Sequence, residues 1–136
     1  MTRHDSSTLL RHSLQGNAVF SCLSGVLFLV AAGPIASFLG MEVPWLIGML
    51  GLSLALYAVW LLIIARRPTL DRREVWIAIG LDAIWVLGSA LLLIADLAPL
   101  TLAGKWTVGI VADLVTAFAL LQFYGLDRQH QTSRVP

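Results

Sequence analysis

At 136 residues the chain has room for one domain, and its composition rules out a water-soluble one. It is 58% hydrophobic and 12% charged, with a mean hydropathy of +0.84, against ~25% charge in a soluble domain. The net charge of +1 makes no case for nucleic acid as a partner, and the single cysteine, Cys22, excludes an intrachain disulfide.

A helix needs ~20 mostly apolar residues to cross ~30 Å of hydrocarbon. Four runs meet that requirement, at 17–39, 45–65, 76–98 and 106–124. Lipid offers no partner for open sheet or loop, and no alternating strand pattern argues for a barrel. The expected fold is therefore all-α: an integral membrane four-helix up-and-down bundle. Its transmembrane domain covers 17–125, between a tail at 1–16 and a second tail at 126–136.

Residues 1–16 are polar with few basics, and the apolar run that follows is too long for a cleaved leader, so a retained helix is expected. Within that run Pro34 predicts a kink or an end, because its ring removes an N–H and clashes with the preceding turn. Pro44 and Pro99 mark short connections at one end of the bundle, which predicts that sequential helices are antiparallel neighbours. On the second span Gly48, Gly51, Ala55 and Ala58 recur on one face, the stripe of a helix–helix contact. Asp71 and Glu74 have capping-box spacing ahead of the third span. Trp45, Trp76, Trp106 and Tyr124 stand at span ends, where amphipathic rings favour the headgroup level.

Orientation follows from the basic residues. Arg3, Arg11, Arg66, Arg67, Arg72, Arg73, Arg128 and Arg134 fall on one side, leaving only Lys105 on the other. The positive-inside rule puts the eight, and with them both termini, in the cytoplasm. That expectation is a multi-pass protein of a bacterial inner or plasma membrane, with the lipid bilayer as its first partner and a homo-oligomer or membrane-complex partner as a second. A weak repeat offset by 65 residues lays Asn17-Ala-Val-Phe20 over Asp82-Ala-Ile-Trp85 and Ser24 over Ser89. It predicts a parallel duplication about an axis along the membrane normal.

The polar residues inside the spans carry the functional signal. A carboxylate in hydrocarbon costs ~2.5–3.5 kcal/mol on insertion scales and is a functional-site hypothesis by default. Asp82 lies six residues beyond Trp76, and Asp113 seven beyond Trp106. No Lys, Arg or His falls within a span to pair with either. Asp82, Trp85 and Ser89 share one helix face; Asn17 and Ser21 share another, and Tyr57 lies at comparable depth. These six residues form the candidate polar cluster. Asp113 shares its face with Gly109, Thr116 and Ala117, a face suited to helix packing.

No Ser–His–Asp group, phosphate loop or HExxH is present. The histidines His4, His12 and His130 lie outside the spans, so no cofactor or metal is expected and an enzyme is disfavoured. In length and span count the chain is similar to the small multidrug-resistance transporters. The acid that family carries in its first span has no counterpart here, so its mechanism is not carried over. Two readings stand. One is a structural, accessory or self-associating bundle glued by its polar residues. The other is a minimal carrier or pocket for an ion, proton or small amphiphile, using Asp82 or Asp113.

Overall fold

The computed structural model describes residues 3–132, with side chains from 7 to 129, so the side chains of Arg3 and Arg134 lie outside it. Over these residues the chain is all-helical: α1 (Arg3–Val30), α2 (Ala32–Leu39), α3 (Pro44–Arg66), α4 (Arg72–Ile94) and α5 (Leu102–Thr132). Four helices are long and apolar enough to cross a membrane: α1 over Ser7–Val30, α3, α4, and α5 over Leu102–Gln129. The exterior is what lipid requires. Val30 is 82% and Ile94 86% exposed, while Asn17, Asp82 and Gln122 are buried. Apolar residues outside and polar ones inside reverse the arrangement of a soluble bundle.

The helices run past the expected boundaries at the end carrying both termini. α1 begins at Arg3 and α5 continues to Thr132, so helix runs on into the segments read as tails. At the other end the first run, expected as one span over 17–39, divides at Ala31 (φ −119°, ψ 32°). Pro34 is the cause. A helix carried through would need the Pro34 nitrogen to donate to the Val30 carbonyl, and Val30 is where α1 stops. α2 then ends on Gly40, whose φ of 86° closes a Schellman turn: the Met41 amide donates to Ala36 O at 2.8 Å and the Gly40 amide to Ser37 O at 3.2 Å. Thr101 ties this turn to α5. Its amide donates to Leu39 O (2.9 Å), its hydroxyl donates to Phe38 O (2.7 Å), and the same hydroxyl caps Gly104 N (2.9 Å). Lys105 pairs with Asp96 at 2.8 Å beside it.

The opposite, arginine-rich end is held by a core of Leu10, Leu14, Leu61, Ile64, Val75 and Leu126. Arg11 reaches across to the end of α3, donating to the carbonyls of Ala65 (2.7 Å), Arg67 (2.6 Å) and Pro68 (2.7 Å). These are orphan acceptors at a helix C-terminus, where a cation also suits the dipole. Asp71 caps α4 as its position predicts, accepting from Arg73 N at 2.9 Å. Glu74 does not close the box. It binds the Arg67 guanidinium with both oxygens (2.7 and 2.8 Å), a charge-assisted pair that outcompetes one amide.

Three seams of the four-helix ring are closed: α1 packs on α3, α4 on α5, and α1 on α5. The fourth differs from expectation. α3 and α4 follow one another in sequence, yet their backbones scarcely approach, although Leu61 and Ile64 of one and Val75 and Ala78 of the other belong to the same core at the arginine-rich end. Away from it the two helices splay. The reason lies in the α1–α3 seam. Gly25 and Gly51 allow those backbones to meet so closely that a β-carbon on either would stand 2.8 Å from the other's carbonyl oxygen. That draws α3 toward α1 and away from α4.

Of the small-residue stripe on α3, Gly51 and Ala58 are buried, and Ala55 takes its place against Gly25. Gly48 departs from the expectation, since a β-carbon there would meet nothing within 4 Å. It lies one turn before Gly51, where α1 gives way to α2, and at this level it is Ile47, not Gly48, that shares a core with Ala36 and Leu39 of α2.

Candidate functional site

Each of the four long helices contributes one residue to a polar centre. Asp82, on α4, is buried and accepts from three other helices. Asn17 Nδ2 of α1 donates to its Oδ2 at 2.7 Å, Tyr57 Oη of α3 to its Oδ1 at 2.9 Å, and Gln122 Nε2 of α5 to Oδ2 at 3.4 Å. Ser21, one turn after Asn17, donates to Asn17 Oδ1 at 3.3 Å and fixes which way that amide points. Tyr57 Oη also stands 3.3 Å from the Ala78 carbonyl. A carboxylate offers about four acceptor positions, and three donors engage them. All three donors are neutral, so among the described residues no cation pairs with Asp82.

The structure thus brings Asn17, Ser21, Tyr57 and Asp82 together, and it adds Gln122, which the sequence reading passed over. The lone amide near the end of an apolar run reads as an interfacial residue, and its helix face is set only by packing. One signal was available. Asn17 and Asp82 are 65 residues apart, and Tyr57 and Gln122 stand at the same offset. The four central residues are thus two pairs with the same spacing of 65, the first pair in contact across the diagonal of the ring. A pseudo-twofold would equate the closed α1–α5 seam with the α3–α4 seam, and these two seams differ.

Trp85 and Ser89 do not join this hydrogen-bonded centre. They lie further along α4 and line a cleft that starts at Asp82 and runs toward the end bearing Lys105. Its first lobe, about 550 Å³, is walled by Asn17, Ser21, Tyr57 and Asp82 at one extremity and by Leu50, Leu54, Ile84 and Trp85 along its length. A second lobe of about 390 Å³ shares Phe28, Leu50, Ile84 and Trp85 and reaches Ser89 and Leu100. Both lobes lie among the helices, with Phe28 of α1 and Thr107 and Val111 of α5 also on their walls, and the loose α3–α4 seam leaves them unclosed on that side. Its only carboxylate is Asp82. Among the described residues the buried Trp85 Nε1 and Gln122 Oε1 have no hydrogen-bond partner.

Asp113 is elsewhere. Sequence reasoning placed it with Gly109, Thr116 and Ala117 on a packing face, but within the monomer Asp113 and Ala117 are exposed. α5 packs through Val115, Gln122, Gly125 and Leu126, which stand on the opposite side. Helical periodicity shows that residues share a face; it does not show which way that face is turned. Asp113 therefore has no part in the cleft that Asp82 closes.

Searches of known protein families, of curated proteins and of solved structures find no match to this chain.

Proposed function

We propose that this small membrane protein is a binding protein for a single-tailed amphiphile, held in the α3–α4 cleft with its hydrogen-bond-donating head at Asp82. The observation that carries the reading is the coincidence of a buried carboxylate with the end of a long apolar cleft open to lipid. Pockets for small molecules are of this kind: a few hundred Å³, mostly apolar, with a few convergent polar groups that fix orientation. The head would take the remaining acceptor position on Asp82, and an alkylammonium suits it best because no protein cation competes.

The contrasting reading, a structural or accessory bundle, has its own support. Three neutral donors are enough to hold Asp82 without a ligand, at ~0.6–2 kcal/mol per interhelical bond. A titration separates the two. A fluorescent long-chain alkylamine, added to the protein in lipid nanodiscs, should bind saturably at one site per chain. An unlabelled amine of equal length should displace it, and the matching carboxylate should not. Asp82→Asn should keep helicity and weaken binding roughly tenfold, as expected for loss of a charge-assisted bond worth ~1.5 kcal/mol or more. Non-saturable binding, or affinity unchanged by Asp82→Asn, would leave the structural reading standing.

We also assign the arginine-rich end to the cytoplasm, on the eight-to-one distribution of basic residues. Asp82 lies ~9 Å from Trp76 along the helix axis. With this orientation the head sits in the cytoplasmic half and the tail points outward, the polarity of an inner-leaflet amphiphile. Reporter fusions at positions 42 and 136 should read opposite sides, with position 136 cytoplasmic. A carboxy terminus on the outer face would reverse the assignment.

A further inference from the structure

The lipid-facing side of α5 carries a feature that the cleft does not use. Trp106, Ile110, Asp113, Ala117, Leu120 and Tyr124 are all exposed, and their spacings alternate strictly between four residues and three. That is the a/d repeat of a coiled-coil seam. It extends over 19 residues, ~27 Å of helix, nearly the depth of the hydrocarbon. Beside it Gly109 leaves a groove of about 470 Å³ whose far wall is Leu93 of α4. Asp113 is the seam's one carboxylate. Among the described residues it forms no ion pair or hydrogen bond. A carboxyl group left facing acyl chains at this depth is costly.

We infer that this seam is a homodimer interface, with α5 of one chain packed parallel to α5 of a second copy and Asp113 meeting the partner's Asp113. Self-association is favoured over a foreign helix by the chemistry of the group and by symmetry. Two copies inserted in the same direction bring Asp113 to the same depth. A twofold axis along the membrane normal then sets the two carboxyl groups face to face. A carboxyl group sharing a proton is at once donor and acceptor, so it is complementary to itself. A polar residue at a single a or d position also fixes the register of such a seam. Gly109 and Ala117 permit close approach, which counts in a bilayer because burial of apolar surface gives no drive between helices.

The inference is independent of the cleft and is tested apart from it. In full-length protein with Cys22→Ala, purified and reconstituted into vesicles, single cysteines replace Ile110, Ala117 or, as an off-seam control, Leu87 of α4, which is 69% exposed. Oxidation should crosslink the first two and leave the third monomeric. Adding Asp113→Leu should weaken the dimer roughly tenfold, read from the protein-to-lipid ratio at half crosslinking. That substitution removes a carboxyl group from lipid, so helicity and melting of the monomer should hold. A chain that stays monomeric at every ratio overturns the inference. So does crosslinking at Leu87 equal to that at the seam, or a dimer indifferent to Asp113→Leu.

Discussion

Replacing Asp82 by Leu should strip at least about 2 kcal/mol from the bundle while making α4, taken alone, a better transmembrane segment. The two effects belong to different steps. Insertion of the isolated helix gains ~2.5–3.5 kcal/mol when the carboxylate leaves hydrocarbon. Association of the inserted helices loses the acceptor on which Asn17, Tyr57 and Gln122 converge. Three interhelical bonds at ~0.6 kcal/mol each give the lower bound, and stranding three buried donors raises it, at ~1–3 kcal/mol for each that finds no other partner. Asp82→Asn should cost far less, under about 1 kcal/mol, because the amide oxygen still accepts. Gln122 can also turn its amide, offering its unpartnered Oε1 to the new N–H. Unfolding in mixed micelles, followed by loss of helicity, reads the difference. Equal stability of the Asp82→Leu and parent proteins would show that the centre is not structural.

The α1–α3 seam yields the second large effect, and its sign changes within one helical turn. A β-carbon at Gly51 would stand 2.8 Å from Gly25 O and 2.9 Å from Leu29 N; one at Gly25 would stand 2.8 Å from Ala55 N and Gly51 O. These are backbone atoms of rigid helices and cannot swing aside. Gly51→Ala should therefore cost ~1–3 kcal/mol by forcing the helices apart, and Gly51→Leu should prevent the native seam from forming. At Gly48 the same substitution meets open space, so Gly48→Ala should be neutral or stabilise by up to ~1 kcal/mol through helix propensity alone. Melting temperatures of the three variants in one detergent give the comparison. A similar response at Gly48 and Gly51 would mean that the seam is looser than described.

Because the seam also pulls α3 away from α4, the Gly51 variants bear on the cleft. A bundle that relaxes at α1–α3 can close at α3–α4. Gly51→Ala is thus expected to weaken amphiphile binding although Gly51 does not itself line the first lobe; its β-carbon would meet Phe28 Cβ, on the wall of that lobe, at 2.8 Å. Measured in the same nanodisc titration, an unchanged affinity would separate the shape of the cleft from the packing that we hold responsible for it.

What the sequence determined by itself is what depends on composition and local chemistry. The length of an apolar run sets the number of spans, since the bilayer demands internally bonded helices. Pro34 ended α1 by removing one donor, Asp71 capped α4, and intramembrane cost singled out Asp82. Asn17, Ser21 and Tyr57 could be named beside it because depth along a span is fixed at ~1.5 Å per residue. What only the tertiary structure decided is rotation and approach. Whether Gln122 or Asp113 of α5 faces the centre of the bundle depends on how the helix is turned against its neighbours, and the eight residues between them carry both faces. The open seam was likewise not legible, because a short connection between α3 and α4 argues for contact. The splay comes from Gly25 meeting Gly51, two glycines 26 positions apart whose significance exists only once their backbones touch.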